Sequence, residues 1–380
     1  MPLPSKDSVQ RYMTIFVVPP KKMRIVDVNP FFYPYMGGIE RRIHDTSRLL
    51  AARGHDVTVL TGQLPETKIK ERAPEGYDII RLKSRFINVY NPPYISSSDI
   101  LETLESLDAD IVNYNYRWAP SYNRDLAAYK GKKVFTYHNV WGEGIGFQAK
   151  MSEVNDNRFR KCLNTFDHII CVSDYVRDDL IRRGLDPTML TTVPTCLNSL
   201  PDVDQKEGDF VLSLGRLVKT KGLDYLIEAM KDVDCKLIIC GKGPESKHIA
   251  KMIKKNGLEE RIEMKGYVSE EEKTMLMSMC KFFVMPSLFE SLGLAAIELM
   301  SYGRPLICSD VNGLPKTVGN GGVVVPAKDS KALSDAMNSL LSDDRQRTLL
   351  GNFARMQAES YDWNIEIPKI EKIYENVLNR

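Results

Sequence analysis

The stretch Pro286-Ser-Leu-Phe-Glu-Ser-Leu-Gly-Leu-Ala-Ala-Ile-Glu298-Leu-Met-Ser-Tyr-Gly303 sets two carboxylates eight residues apart across a glycine. It follows the apolar run Phe282-Phe-Val-Met285 and gives way to a helical pattern, so it reads as strand, turn, helix. Glu290 then lies in the turn. Gly293 lets backbone approach a ligand closely and leaves unpaired N–H groups at the helix start, where an anion is favoured. Glu298 stands about one turn further in. Because helical side chains lean toward the N-terminus, it points back at the same crevice. Amides for a phosphate and carboxylates for hydroxyls suit a ligand that carries both, and a nucleotide sugar is such a ligand.

A chain of 380 residues is longer than one core usually grows, so two domains are expected. Composition is that of an ordinary globular protein, 43% hydrophobic and 27% charged, and the net charge of +2 is too small to imply nucleic acid as a partner. The seven cysteines, at 162, 171, 196, 235, 240, 280 and 308, form no CxxC pair, and several fall in apolar runs. They read as buried thiols of a reducing, cytoplasmic compartment and not as a disulfide or zinc framework. No run approaches the roughly 20 apolar residues that span a bilayer. Met13-Thr-Ile-Phe-Val-Val18 is short, is closed by Pro19-Pro20 and lacks a small-residue cleavage site, so it does not read as a signal peptide. Residues 1–22 are either an appended arm or an overextended start.

Met23-Arg-Ile-Val-Asp-Val28 is the first buried-strand run, and the proline- and aromatic-rich segment 29–36 after it is loop. Gly37-Gly38 then opens a helix over 39–53, either as a phosphate approach or as a tight turn. His44 and His55 read as surface or packing histidines. Further strands are expected at 57–60, 79–82, 111–114, 134–137 and 169–172, alternating with helices, which argues for a parallel sheet covered on both faces. Ligands of such sheets bind beyond the carboxyl ends of the strands. His138 and Ser173 directly follow two of those ends, and Ser173 serves equally well as the cap of the next helix. His138 also heads the glycine-containing loop Asn139-Val-Trp-Gly-Glu-Gly144. Arg81, Lys83 and Arg85 alternate along a strand before Tyr90-Asn-Pro-Pro-Tyr94. They form a solvated edge or a basic strip for an acidic or lipid-linked acceptor, with peripheral contact at the cytoplasmic face of a membrane.

The polar, aperiodic segment 196–209 reads as a linker between a first domain, 23–200, and a second, 208–360. The second begins with Phe210-Val-Leu-Ser-Leu214 and then Gly215-Arg-Leu-Val-Lys-Thr-Lys-Gly222. Arg216, Lys219 and Lys221 are thus concentrated at a strand's carboxyl end, where cationic groups suit a pyrophosphate. Gly241-Lys-Gly-Pro244 matches a dinucleotide fingerprint poorly, because Ser246 stands in the third glycine's place. Strands are expected at 236–240, 262–265 and 282–285, with Ser269 capping a helix over 270–279. Beyond the opening stretch follow a strand at 305–308, the turn Asn312-Gly-Leu-Pro315, a strand at 322–325, and helices at 330–341, 344–359 and 363–378. Asp108-Ala-Asp110 precedes a strand and reads as a turn, so no metal site is expected.

Taken together and in order, these pieces resemble the retaining glycosyltransferases of family 4, whose GT-B architecture faces two Rossmann-like α/β domains across a cleft. The resemblance covers nearly everything from Met23 onward. It rests on Gly37-Gly38-Ile39-Glu40, His138, Gly215-Arg216 with Lys221-Gly222, Gly241-x-Gly243-Pro244, Gly266-Tyr267-Val268 and Glu290-x7-Glu298. It implies that Arg216 and Lys221 bind a donor diphosphate, assisted by amides near Gly37 and Gly38 and from Leu292 through Gly293 to Leu294. Glu290 would hold donor-sugar hydroxyls, Glu298 the ribose diol, and the stretch at Tyr267 and Val268 would border the base, with Gly241 nearby. His138 would stand close to the transferred sugar. Segment 361–380 would pack back on the first domain. Lys316 departs from the common pattern, in which glutamate follows Gly-Leu-Pro, as does Leu292, where phenylalanine is more frequent.

The activity implied is transfer of a hexose from a UDP- or GDP-linked sugar, with retention and without metal or cofactor, to a lipid-linked, glycan or small-molecule acceptor. Two other readings stay open on the same residues: a nucleotide-sugar 2-epimerase and a non-catalytic subunit that binds sugar nucleotides.

Overall fold

The computed structural model describes residues 21–87, 94–202 and 206–380. Most of the expected arm at 1–22, the segment around Tyr90 and the middle of the expected linker lie outside the described residues.

Among the described residues, ten strands come from the first half of the chain: β1 (Arg24–Val28), β2 (Asp56–Gly62), β3 (Lys70–Arg72), β4 (Asp78–Leu82), β5 (Ser84–Ile87), β6 (Tyr94–Ser97), β7 (Ile111–Tyr114), β8 (Lys133–Tyr137), β9 (His168–Cys171) and β10 (Leu190–Thr192). Eight of them form one sheet in the order β10-β9-β8-β7-β1-β2-β4-β3, parallel throughout except that β3 runs antiparallel to β4. The central strands β7, β8 and β9 are buried along their full length, as coverage by helices on both faces requires, and their polar residues Asn113, Lys133, Thr136 and His168 are each hydrogen-bonded. The antiparallel strand β3 and the separate β5-β6 hairpin depart from the purely parallel expectation.

A second sheet comes from β11 (Phe210–Leu214), β12 (Lys236–Cys240), β13 (Ile262–Gly266), β14 (Phe283–Met285), β15 (Leu306–Ser309) and β16 (Gly322–Val325). Its order is β13-β12-β11-β14-β15-β16 and every pair is parallel. Both sheets therefore reverse strand order once near the middle, between β1 and β7 in the first and between β11 and β14 in the second. Crevices open at such reversals, beyond the carboxyl ends of the strands.

The chain crosses between the sheets twice. Leu197 bridges to Asp362, with the Leu197 N–H donating to Tyr361 O at 3.1 Å, so the outgoing and returning segments lie side by side. The last helix, Trp363–Leu378, then settles on the first sheet. Its buried residues Trp363, Ile367, Ile370, Ile373, Tyr374 and Val377 follow helical spacing and join Met23, Ile25, Val57 and Val59 in one core. Full burial of each large apolar side chain contributes about 1.5–3 kcal/mol. Glu371 on the same helix accepts from Arg53 at 2.7 Å and meets buried His55 at 2.9 Å, so His55 is a packing residue. Six of the seven cysteines are buried, Cys235 is half-buried, and all are free thiols.

Candidate functional site

At the reversal of the second sheet, two loops carry the predicted residues into contact. The β11 loop turns through Lys219–Lys221 to Gly222, which has φ 62°. A Cβ there would stand 2.1 Å from Pro286 O, so only glycine lets this loop press against the one that follows β14. The Leu288 N–H donates to Thr220 O at 2.7 Å and zips the two loops together. The result is an ion pair, Lys221 Nζ to Glu290 Oε2 at 2.6 Å, beside the exposed Arg216. A small open pocket lies here, lined by Gly215, Arg216, Lys221, Pro286 and Ser287 among others. Ser287 Oγ is fully buried and has no hydrogen-bond partner among the described residues, which leaves it a donor and acceptor for whatever enters.

Glu298 lies on the helix Leu294–Met300, which starts at Gly293 with φ 82°. Lys273 Nζ donates to Glu298 Oε1 at 3.0 Å and pairs with Glu270 at 2.7 Å. Burial alone would lower the Lys273 ammonium, but these two carboxylates hold it above its ordinary value. Leu292 is buried, and its carbonyl accepts from Thr317 Oγ1. Tyr267 is 71% exposed, with the Lys242 ammonium 5.5 Å from its ring centroid, and half-buried Val268 packs behind it. Gly241 (φ 139°) has a local duty: a Cβ on it would meet Gly215 O at 1.8 Å, so it keeps β11 and β12 close where their loops begin.

The first sheet supplies the facing wall. Gly37 caps the helix Gly38–Ala52 in extended conformation, and Glu40 in its first turn is buried and bonded by Asn29 Nδ2 at 3.1 Å. Burial pushes the Glu40 carboxyl up to about 7, against the lowering effect of backbone N–H groups, Asn29 and Arg216. His138, directly after β8, meets Asn115 Oδ1 through Nε2 at 3.1 Å. Burial first, then the cations Arg42 and Arg117, hold the imidazole well below its usual range, so it is neutral at pH 7. Arg117 is itself buried and paired with Asp156.

Side chains from both sheets touch across the cleft. Ser291 Oγ, next to Glu290, donates to His138 O at 2.8 Å, and Ser173 Oγ donates to Ser291 O at 2.8 Å. Ser173 also accepts from Val176 N at 3.3 Å, so it is at once a helix cap and a bridge. Arg41 reaches Glu298 at 3.6 Å, Asn312 Nδ2 donates to Tyr175 OH at 2.9 Å, and Lys316 pairs with Asp174. His138, Glu290, Lys221, Arg216 and Glu298 therefore border one cleft.

The basic strip is not formed. Arg81 is buried and spent on Glu71, Lys68 O and Tyr33 O, because the antiparallel β3 covers it; only Lys83 and Arg85 remain exposed. Asp108 and Asp110 are both engaged by Arg24, as a turn beside β1. Among the described residues no group of three or more His, Cys, Asp or Glu is placed to hold a metal ion, and no helix is long and apolar enough to cross a membrane. Lys273, Arg41, Asn115, Ser287 and Ser291 were not singled out from sequence. Ser287 and Ser291 flank Glu290 in the opening stretch and were within reach of that reading. The others carry no local signal.

Comparison with known proteins places both halves of this cleft in one family. Residues 36–199 match the model of Glycosyltransferase Family 4, and residues 202–357 match that of Glycosyl transferases group 1. A phosphatidylinositol N-acetylglucosaminyltransferase gpi3 subunit of Schizosaccharomyces pombe is 24% identical over 92% of this chain and 80% of its own length. A glycosyltransferase of Methanocaldococcus jannaschii is 27% identical over 91% of this chain and 96% of its own. Among solved structures, sucrose-phosphate synthase from Thermosynechococcus elongatus superposes with a TM-score of 0.78 at 21% identity, covering 94% of this chain and 100% of its own. Anabaena HepE in complex with UDP and glucose superposes with a TM-score of 0.72 at 17% identity, covering 94% and 99%. With two sheets facing a cleft and family matches on both sides of it, the chain belongs to the group 1, family 4 glycosyltransferases of GT-B fold and is a glycosyl-transferring enzyme.

Proposed function

We propose that this enzyme moves a hexose from a UDP- or GDP-linked sugar to an acceptor hydroxyl, with retention at the anomeric carbon and without a metal. The observation that carries this reading is the Lys221–Glu290 pair at 2.6 Å, beside Arg216 at the strand reversal of the second sheet. An arriving diphosphate competes for the ammonium and gains the Arg216 guanidinium, while the released Glu290 carboxylate accepts from sugar hydroxyls. Glu298 serves the ribose diol, released in the same way from Lys273 and Arg41. Gly37, Gly38 and the backbone from Leu292 to Leu294 offer N–H groups to the phosphates, and Tyr267 with Val268 borders the base. His138 faces the transferred sugar from the first sheet.

In the transfer step the bond from C1 to the β-phosphate oxygen breaks and the acceptor oxygen bonds C1 on the same face. The acceptor's proton passes to the departing phosphate oxygen. Cationic stabilisation of that leaving group supplies the main electrostatic contribution, so no separate nucleophile and base are required. The relatives named as phosphatidylinositol N-acetylglucosaminyltransferase subunits favour a lipid-linked acceptor.

The test is a thermal-shift and turnover panel of UDP-glucose, UDP-N-acetylglucosamine and GDP-mannose. At least one donor at about a hundred times its Kd is expected to stabilise the protein by roughly 2.7 kcal/mol. Lys221→Ala should abolish that shift and lower turnover about 100-fold or more. Full activity in Lys221→Ala overturns the site. Proton NMR of the product reads the anomeric configuration, and inversion overturns the retaining mechanism.

A further inference from the structure

His138 ends a chain of buried polar side chains under the cleft that the transfer reading leaves unused. Asp27 on β1 is buried, its Oδ1 accepting from Asn113 Nδ2 at 2.6 Å and Asn115 Nδ2 at 3.4 Å, its Oδ2 from Ser47 Oγ at 3.3 Å. Thr136 Oγ1 donates to Asn113 Oδ1 at 2.8 Å and completes that amide. Asn115 is buried as well, and its Nδ2 also stands 3.4 Å from Val28 O and 3.4 Å from Asn113 O.

All three neighbours of Asn115 Nδ2 are acceptors. Turning the amide over would set its oxygen against three other oxygens, so the nitrogen belongs on that side and Oδ1 on the side of His138. A carbonyl oxygen has no hydrogen to give. At 3.1 Å, the hydrogen between Asn115 Oδ1 and His138 Nε2 must sit on Nε2. The charged groups around the ring agree with a neutral imidazole, since Arg42 from the helix Gly38–Ala52 and Arg117 after β7 both oppose a second proton. A neutral ring with its hydrogen on Nε2 has a lone pair on Nδ1.

We propose that Asn115, anchored on Asp27, is a positioning residue that holds His138 as the neutral Nε2–H tautomer, so that Nδ1 acts only as an acceptor. The proposal deepens the reading of His138 as part of the transfer site. It makes the ring a partner for a hydroxyl hydrogen and a poor neighbour for a phosphate oxygen, whose lone pairs would face that of Nδ1. Asn115 contributes orientation and tautomer, and makes no contact with the reacting atoms.

The experiment uses the full chain with 15N-labelled histidine. Long-range 1H–15N correlations distinguish Nε2–H, Nδ1–H and doubly protonated rings, and the signal lost in His138→Gln identifies residue 138 among the five histidines. The wild type should show the Nε2–H pattern at pH 7. In Asn115→Ala it should give way to a tautomer mixture, with kcat for the donor found active among UDP-glucose, UDP-N-acetylglucosamine and GDP-mannose falling about tenfold or more and KM within twofold. Asp27→Asn keeps an acceptor for the Asn115 amide and should retain the Nε2–H pattern.

An Nδ1–H or doubly protonated ring in the wild type at pH 7 overturns the proposal, and so does an unaltered Nε2–H signal in folded Asn115→Ala. If Asn115→Ala does not fold, the wild-type spectrum decides. Full turnover in His138→Gln would overturn the transfer role of His138 and leave its tautomer to the spectrum, so the two failures are told apart.

Discussion

Glu40 sits in the first turn of the helix Gly38–Ala52 with its carboxyl buried against Asn29, and its environment opposes its charge. Its pKa, about 7 in the folded chain against 4.5 as an ordinary carboxyl, means that the fold binds this proton more tightly than the unfolded chain does. Stability from this group is therefore fully present below pH 4.5 and is lost as pH rises through 7. The shift corresponds to something on the order of 3 kcal/mol. Glu40→Gln carries no charge to bury, so its thermal midpoint should exceed the wild type's at pH 8, and the gap should close as pH falls to 5. Melting curves across that range check it, and parallel curves for the two proteins would contradict the burial of an ionised Glu40. Asp27, pushed up to about 6 by the same cause, titrates in both proteins and cancels from the difference. Glu40 was legible in sequence only as part of a glycine motif. Its burial depends on Asn29 and the aromatic loop before Gly37, whose shape no periodicity reports. Glu290 and Glu298 were legible because one stretch holds both. Their cationic partners were legible only in part: Lys221 stands at a strand end, whereas Lys273 and Arg41 meet Glu298 only once the fold exists.

At the scale of elements, the strand ends place the chemistry and glycines decide how closely they pack. Gly222 shows the constraint: with φ 62° and Pro286 O at 2.1 Å from a would-be Cβ, alanine is both strained and in collision with backbone. Gly222→Ala should cost about 2 kcal/mol or more. It should also separate the Lys221 loop from the Glu290 loop, because the Leu288 to Thr220 hydrogen bond runs beside it. Urea denaturation and UDP calorimetry read the two consequences, with at least tenfold weaker binding of UDP expected. Normal stability and normal binding together would mean that the two loops do not depend on this contact. Most of the parallel strands were legible because each carries a short, largely apolar run, such as Phe210–Leu214 or Leu306–Ser309. β3 and the β5-β6 hairpin were not, since Lys70-Glu-Arg72 has no apolar residue and the hairpin strands are short. That omission is what made Arg81 look solvated. Asn312-Gly-Leu-Pro315 likewise reads as a turn, yet Pro315 lies in the first turn of a short helix, Leu314–Val318, where proline is tolerated.

At the scale of the molecule, a set of polar contacts joins the two sheets across the cleft, beside an apolar core to which both contribute: Ser291 to His138, Ser173 to Ser291, Asn312 to Tyr175, Arg41 to Glu298 and Lys316 to Asp174. None of these was legible in the sequence, because every one pairs residues more than a hundred positions apart. Lys316 is informative because the pattern this chain resembles has glutamate there. Lys316 is 73% exposed and Asp174 27%, so the pair is a partly solvated one, worth at most about 1 kcal/mol. Reversing the charge removes that attraction and adds repulsion from Asp174, with Arg177 left to neutralise Asp174 alone. Lys316→Glu should thus shift the ligand-free protein toward a more open cleft by a factor of roughly 5 to 30 in the ratio of closed to open forms. The fold itself should be untouched, because neither side chain belongs to a core. Small-angle scattering without ligand should give a larger radius of gyration than the wild type. A saturating donor, which gains by bridging both sheets, should restore the compact value. The thermal midpoint should move little, and kcat/KM should fall while kcat at saturation stays near that of the wild type, since the donor then supplies the closure that Lys316 no longer assists. An unchanged ligand-free radius would show that Ser173, Ser291 and Asn312 hold the cleft without the ion pair.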